Sequence, residues 1–263
     1  AWKWSVDGML TQLDREDPEI WHALGDAYLG GHGVERDVEQ AEKWLRMAAD
    51  AGHGRSMTRL GMLLYRDERS DEDKRESLDW YRRAAELGDS SGMISMGLAY
   101  REGRCVPVDE KRAVEWFIKA HEAGARNAAD LAGRLLSHRA ENHLEAVKWL
   151  RIAAESGNDL SYASLAEIYE DRRSSAHDPK EAFFCWLEYV ERRQPTLDGP
   201  IGLARRFHAM RTLACCCRDG IGTERNRDEA KRWLDRIIAV APKDKSDYLH
   251  AIKLRQEIDE ELI

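Results

Sequence analysis

The residues with the clearest potential for chemistry are Glu19, His22 and Asp26. Their spacing of three and four residues places the three side chains on one face of a helix, where acid–base chemistry is geometrically possible. The sequence contains no nucleophile elbow, phosphate-binding loop or His-Glu-x-x-His motif that would complete such a site. An enzyme or small-molecule binder is therefore an alternative hypothesis and not the leading one. We expect no catalytic residue and no cofactor.

Two other clusters resemble metal or redox sites. His138, Glu141 and His143 are close in sequence, but their spacing places no set of ligands on one helical face. The residues of the run 215–217 are consecutive cysteines, which point about 100° apart around a helix and cannot share one ion. The five cysteines form an odd set without regular spacing, which we interpret as packed thiols in a reducing compartment. We predict no metal site.

The composition argues against two classes of protein, those that bind nucleic acid and those that span a membrane. The net charge is −8 and no basic stripe appears, which argues against a protein that binds nucleic acid. No apolar run approaches the roughly 20 residues that a membrane-spanning helix needs, so we expect no membrane insertion. The chain begins at Ala1 with no recognisable signal peptide, which favours the cytoplasm. A periplasmic or secreted location stays open if a signal segment was removed before Ala1.

The elements that position these residues are indicated by a tryptophan that recurs at nearly regular intervals. It occurs at Trp44, Trp80, Trp116, Trp149, Trp186 and Trp233. A Leu-Gly or Met-Gly pair precedes the first three of them by the same distance, at Leu24-Gly25, Leu60-Gly61 and Met96-Gly97. Such self-similarity is typical of a chain built by stacking one small unit. We predict that the tryptophans fill the core between neighbouring units.

Each unit has the pattern of two helices joined by a loop. In the first unit, small and apolar residues follow helical spacing, and the loop 30–33 (Gly-Gly-His-Gly) interrupts them. Equivalent polar residues are predicted to cap the second helices, at Asp37, Asp73, Asp109, Asn142, Asp178 and Asn226. Closing glycines are predicted at Gly52, Gly88, Gly124 and Gly157.

This pattern resembles the SEL-like (Sel-one-like) repeat family, which is related to the tetratricopeptide repeat. The resemblance is closest over Ile20–Gly52 and Gly92–Gly124, and the second and fourth units lack the Gly-x-Gly loop. It implies an all-α fold, a right-handed α-solenoid of about six helix–loop–helix repeats with a capping helix at each end. The segments are predicted as an N-terminal cap at 1–17, repeats one to five at 18–190, an insertion at 191–202, a sixth repeat at 203–241 and a C-terminal cap at 242–263.

The resemblance also implies that the first helix of each repeat lines a concave surface. Ten of these inward positions form the predicted partner-binding site: Arg55, Met62, Tyr65, Ile94, Leu98, Arg101, Asp130, Arg134, Arg211 and Arg218. Apolar side chains surrounded by charged ones are how protein interfaces are built. Inner packing of the array is the alternative for the apolar residues. For Arg211 and Arg218, a site for an acidic peptide competes with a solvated face.

The leading functional hypothesis is a non-catalytic scaffold that holds a protein or peptide in this concave groove, as SEL-like repeat proteins resemble adaptors in complex assembly. A more specific version of this hypothesis is an immunity-type inhibitor of a secreted bacterial toxin, since an acidic chain would attract a basic partner. An enzyme or small-molecule binder with a site near His22 is the alternative from another class. The identity of the partner and the oligomeric state stay open.

Overall fold

The computed structural model describes residues 6–11, 16–66, 69–192, 200–242 and 245–260. Within these ranges every regular element is a helix and no strand occurs. The all-α prediction is therefore confirmed. The chain forms two compact units.

The first unit comprises Ala1–Ala128. Its described helices are α1 (Val6–Leu10), α2 (Pro18–Gly30), α3 (Val38–Asp50), α4 (Gly54–Leu64), α5 (Asp71–Glu86), α6 (Ser90–Glu102) and α7 (Glu110–Glu122). Each helix packs against the next one, and α4 also packs against α6. The helices thus form three pairs, α2–α3, α4–α5 and α6–α7, whose first helices α4 and α6 contact each other directly.

The second unit comprises Ala129–Ile263. Its helices are α8 (Ala128–Leu136), α9 (His143–Glu155), α10 (Asp159–Glu170), α11 (Pro179–Arg192), α12 (Pro200–Asp219), α13 (Arg227–Val240) and α14 (Ser246–Glu260), with a 3-10 turn at Ala140–Asn142. From α9 onward each helix packs against the next, and α12 also packs against α14.

Apolar side chains from neighbouring pairs meet in shared clusters. In one of them, Leu45 of α3, Leu60 and Leu64 of α4 and Trp80 of α5 are buried together. Burial of one leucine stabilises the fold by about 1.5–3 kcal/mol, so these contacts join the first pair to the second. Close packing requires the small residue of the repeat, because a Cβ added at Gly97 would lie 2.5 Å from the ring of Phe117 on the paired helix.

The tryptophans are core residues in four of the six repeats. The buried ones are Trp80, Trp149, Trp186 and Trp233. Trp44 and Trp116 are only half-buried, each packed at the margin of a cluster. The prediction that all six fill the core is therefore corrected at these two positions, where a flank of the indole remains open and lysines approach the rings.

Four of the six predicted caps are confirmed. The side chains of Asp37, Asp109, Asp178 and Asn226 each accept hydrogen bonds from amides of the first helical turn. A cap of this kind contributes about 0.5–2 kcal/mol. The closing glycines are also confirmed, since Gly52, Gly88, Gly124 and Gly157 have φ values of 85° to 92°, in the left-handed region.

The other two cap predictions were wrong. Helix α5 begins earlier, with Ser70 as its cap, and Asp73 lies in the first turn and accepts a bond from the backbone of Ser70. These two residues form a reciprocal capping box. Asn142 precedes α9, but it has ψ of 0° at the end of a 3-10 turn and makes no capping bond with its side chain.

The predicted end segments are described in part. In the N-terminal cap, α1 packs on α2 with Val6 and Met9 buried, and the rest of its predicted helix lies largely outside the described residues. In the insertion, residues 193–199 lie outside them as well. Helix α12 already begins at Pro200, before the start predicted for the sixth repeat. The C-terminal cap is α14, which packs on α12 and α13 and buries Ala251 and Ile258.

Candidate functional site

The ten predicted site residues divide between the two units. Six lie in the first unit, on α4, α6 and the residue that follows α4: Arg55, Met62, Tyr65, Ile94, Leu98 and Arg101. Four lie in the second unit, on α8 and α12: Asp130, Arg134, Arg211 and Arg218.

The apolar side chains of the first group are accessible. Met62 on α4 is 47% exposed, and Tyr65, Ile94 and Leu98 are half-buried. Met62 and Leu98 occupy equivalent positions in consecutive first helices, α4 and α6, which pack against each other. We call Met62, Tyr65, Ile94 and Leu98 the apolar row. Part of the surface of these side chains is not covered by the unit itself and is open to contact with another molecule.

Basic side chains lie beside the apolar row. The guanidinium of Arg104 lies over the ring of Tyr65, 4.9 Å from its centroid. Arg104 Nε donates a hydrogen bond of 2.5 Å to Glu102, and Arg101 donates to the other oxygen of the same carboxylate. Partial burial raises the pKa of Glu102, but the two guanidiniums outweigh it and hold that pKa below its usual value. Arg101, Glu102 and Arg104 form what we call the arginine cluster.

The rest of α4 faces α2 and α6 through polar contacts. Arg59 Nε donates a 2.7 Å hydrogen bond to Asp26 on α2. The hydroxyl of Thr58, a buried residue, donates a 2.8 Å bond to Asp89, which caps α6. Arg55 is exposed. Arg59 is exposed as well, so both arginines of this helix face solvent, and Arg59 is paired with Asp26.

A histidine cluster joins α2 to α4 and contains the three residues considered for acid–base chemistry. The Oγ of Ser56 lies 2.9 Å from Nδ1 of His22 and 2.8 Å from Nδ1 of His53. His22 Nε2 lies 3.8 Å from Asp26, and His53 Nε2 lies 3.3 Å from Glu19. Burial lowers the pKa of His22, and the charge of Asp26 opposes that effect.

Two members of this cluster, His53 and Ser56, were not predicted from the sequence. His53 caps α4 and Ser56 lies in its first turn, and the signal for the cap was the place of His53 directly after the closing Gly52. Ser56 is fully buried, and its oxygen contacts both imidazoles. A buried hydroxyl held in this way serves as a link between two helices and cannot reach a substrate. In the described part of the chain, no group of three or more His, Cys, Asp or Glu residues is arranged to hold a metal ion.

The structure places Asp130 in a role different from the predicted one. Asp130 is only 7% exposed, and Ser161 on α10 donates a 2.8 Å hydrogen bond to it. Its carboxylate therefore joins two helices and does not project into a groove. Arg134, one turn later on α8, is exposed and lies 3.7 Å from Asp130.

Arg211 and Arg218 both contact acidic groups of the same unit. Arg211 donates a 3.1 Å hydrogen bond to Asp247 in the first turn of α14. Arg218 binds Asp219 at 2.6 Å and lies 3.9 Å from Glu257 on α14. In the folded unit, the C-terminal helix thus supplies the carboxylate that binds Arg211, and Asp219 of α12 supplies the one that binds Arg218.

The family of the chain follows from its repeats. The family model described as Sel1 repeat matches residues 22–53, 54–89, 90–124, 131–158 and 208–238. The chain belongs to the Sel1 repeat family. The resemblance found in the sequence is therefore confirmed, and the fold is that of a Sel1 repeat solenoid. Helices α10 and α11 lie outside the matched ranges, although they pack as a pair like the others.

Several solved structures share this fold. A protective antigen from uropathogenic Escherichia coli, with an SLR fold, is 23% identical over 98% of this chain and 52% of its own, with a TM-score of 0.66. The chain thus spans about half the length of that protein. A Sel1 repeat protein from Oxalobacter formigenes is 24% identical over 88% of this chain and 92% of its own, with a TM-score of 0.65. At these identities the similarity shows the fold alone.

An immunity protein from Pseudomonas aeruginosa is more distant, with 17% identity over 71% of this chain and 73% of its own and a TM-score of 0.44. That similarity is too weak to bear on function. No curated protein matches the sequence significantly. Among the described residues, no helix is long and apolar enough to cross a membrane.

Proposed function

We propose that this Sel1 repeat chain is a non-catalytic scaffold that holds a protein or peptide partner against a concave face formed by its first helices. Sel1 repeats typically form protein-interaction scaffolds. The observation that carries the proposal is the apolar row on α4 and α6, with the arginine cluster beside it. Methionine, tyrosine and arginine side chains that remain at least partly accessible at one place are typical of the centre of a protein interface.

The geometry of the histidine cluster supports binding over catalysis. His22, Asp26 and Glu19 do lie together, as a catalytic hypothesis requires, but the hydroxyl between the two imidazoles is enclosed. The cluster links α2 to α4 and so holds the first helices in register. An inhibitor of a secreted bacterial toxin would be one member of the proposed class, and the experiment below would identify it through its partner.

The test is affinity capture from a lysate of the native host, read by mass spectrometry. Wild-type protein is compared with a variant in which Met62, Tyr65 and Leu98 are replaced by alanine. The matched control replaces Leu87 and Val108, two exposed apolar residues of the same unit outside the apolar row, by alanine. Circular dichroism first confirms that all three proteins are folded.

We expect one or more proteins to be captured by wild type and by the control, and to be lost from the triple variant. Reconstitution with the purified partner then measures the loss of affinity directly. Equal capture by the triple variant would contradict the proposal that the apolar row binds the partner. Turnover of a small-molecule substrate that depends on His22 would contradict the non-catalytic assignment.

A further inference from the structure

The charge of the first helices changes along the first unit. Helix α2 carries Glu19 and Asp26 and no lysine or arginine. Helix α4 carries Arg55 and Arg59 and no carboxylate. Helix α6 and the residue after its closing glycine add the arginine cluster, with two arginines and one glutamate. The net charge of the chain is −8, yet α4 and the arginine cluster at the end of α6 each carry a net positive charge.

The arginine cluster is arranged as a site for one carboxylate. Two guanidiniums converge on the carboxylate of Glu102, each binding one of its two oxygens. Arginine favours such contacts because its planar fork of N–H donors matches the geometry of a carboxylate. The ring of Tyr65 supports Arg104 from below through a cation–π contact, which fixes the direction of its donors.

The carboxylate that the cluster now holds can be exchanged. Glu102 is adjacent in the chain to Arg101 and two residues from Arg104, and its side chain is 34% exposed. Exposed ion pairs between near neighbours contribute little stability, because water competes with each partner. A carboxylate presented by a second molecule could therefore displace Glu102, which would then turn toward solvent.

The side chains around the arginine cluster indicate which groups of the ligand would lie beside its carboxylate. Met62 lies one helical turn before Tyr65, and Leu98 lies one turn before Arg101. A ligand group that reaches the arginines therefore has apolar surface next to it on both α4 and α6. A free inorganic anion would leave that surface uncovered, whereas a peptide segment would cover it.

We propose that the arginine cluster and the apolar row together bind a partner segment that presents an aspartate or glutamate side chain beside apolar residues. This inference rests on the proposed function and assigns the chemistry of the partner. It also reverses the expectation from net charge, because the local charge of α4 and of the arginine cluster selects an acidic segment although the whole chain is acidic. Selection against basic segments follows from the same charges.

The probe is a phage-displayed library of random dodecapeptides, selected on the full chain. The peptide that is enriched most is then synthesised with a fluorophore, and its affinity is measured by fluorescence anisotropy at two salt concentrations. Variants Arg101→Gln/Arg104→Gln and Glu102→Gln are compared with wild type. Arg82→Gln is the matched control, because Arg82 makes a similar exposed pair with Asp79 on α5.

We expect the selected peptides to be enriched in Asp or Glu next to Leu, Met or Phe. The double arginine variant should bind about tenfold more weakly, as expected for the loss of charge-assisted hydrogen bonds. Glu102→Gln should bind more tightly than wild type, because the internal competitor has lost its charge. Arg82→Gln should bind like wild type, and added salt should weaken binding to wild type more than binding to the double variant.

The results that overturn the inference differ from those that overturn the proposed function. Peptides without acidic enrichment, or peptides that bind the double arginine variant equally well, would overturn the inference. If such peptides still lost affinity in the Met62/Tyr65/Leu98 triple alanine variant, the proposed function would stand. Acidic peptides that bind the triple alanine variant as tightly as wild type would overturn both the inference and the proposed function. A library that yields no binder would overturn the assignment of a linear segment, while protein capture would test the scaffold independently.

Discussion

The hydroxyl of Ser161 on α10 donates a 2.8 Å hydrogen bond to Asp130 on α8, and both side chains are buried. The residues that occupy the position of Asp130 in three other repeats are His22, Thr58 and Arg211, and each makes an equivalent contact. These contacts join His22 to Ser56, Thr58 to Asp89 and Arg211 to Asp247. Asp130, His22 and Thr58 each bond to the start of the next first helix, whereas Arg211 bonds to the start of the capping helix α14. A polar residue at this position therefore links one helix to another, whereas Ile94, at the same position of the third repeat, is half-buried and belongs to the apolar row.

We predict that Asp130→Ala lowers the free energy of unfolding by about 1–3 kcal/mol, because it leaves the buried hydroxyl of Ser161 without its acceptor. Asp130→Asn keeps an acceptor oxygen and should cost less. Urea unfolding measures both changes. Arg134→Ala is the control, since that exposed side chain should contribute less than about 0.5 kcal/mol. Equal effects of the two alanine variants would show that the buried link contributes no more than a surface pair.

Cys105 occupies in the third repeat the loop position that Gly33 occupies in the first. Both follow a left-handed glycine by two residues, and their φ values are 54° and 78°. Gly222 takes the same place in the sixth repeat with φ of 73°. A residue with a Cβ is strained in this region by about 1–2 kcal/mol, whereas glycine is not.

Cys105→Gly should therefore stabilise the first unit by about 0.5–1 kcal/mol, since relief of strain exceeds the extra entropy of glycine in the unfolded chain. Thermal unfolding under reducing conditions measures the change. Cys105→Ala removes the thiol but keeps the Cβ, so it should leave the melting temperature nearly unchanged. A gain that is equal in both variants would locate the effect in the thiol and not in the backbone.

Much of the fold could be predicted because its determinants are local and repeated. The period of tryptophan, the closing glycines and most caps depend on a few neighbouring residues, and each recurs several times. The cap of α5 was mispredicted because the run 71–73 is acidic throughout, so several residues qualify, and the reciprocal bond between Ser70 and Asp73 decides. Asn142 was mispredicted because the 3-10 turn before α9 changes its backbone angles.

The candidate site could be predicted only in part, because burial depends on partners that are distant in sequence. Met62 and Asp130 were both assigned to the concave face from their register. Met62 is open, whereas Asp130 is covered by the next first helix. The position of Arg104 beside Tyr65 also escaped prediction, because it depends on the fold of the loop after α6. Register therefore predicts the face, and the contacts of the neighbouring repeat decide which side chains remain accessible.

Glu170 on α10 accepts a 2.9 Å hydrogen bond from the indole of the fully buried Trp186. Burial raises the pKa of Glu170, and the indole N–H opposes this only in part. A carboxyl group whose pKa is raised by folding stabilises the fold below its unfolded pKa, and this contribution is lost as the pH rises through the folded pKa. At neutral pH the charge of Glu170 therefore lowers the stability of the fold.

Glu170→Gln should raise the melting temperature at neutral pH, because the amide oxygen can still accept from Trp186 without a charge. The gain should shrink as the pH falls toward the unfolded pKa. Glu170→Ala should instead destabilise by about 1–3 kcal/mol, because the indole N–H is left without an acceptor. A lower melting temperature for Glu170→Gln at neutral pH would show that the charged form is the one that the fold favours.

His22 makes the first unit sensitive to acid. Its pKa is lowered, first by burial and also by the neighbouring His53 and Arg59, while Asp26 and Glu19 act in the opposite direction. The unfolded chain therefore binds this proton more readily than the folded one. The stability that His22 contributes is present above its unfolded pKa of 6.5 and is lost as the pH falls through the lower, folded pKa.

We predict that His22→Gln reduces the loss of stability between about pH 7.5 and about pH 5.5, measured by urea unfolding. His138→Gln is the control, because His138 is an exposed histidine of the second unit, outside the histidine cluster. An NMR titration of the Hε1 proton of His22 gives the folded pKa directly. A value at or above 6.5 would contradict the prediction, because the carboxylates of Asp26 and Glu19 would then outweigh burial and protonation would strengthen the link between α2 and α4.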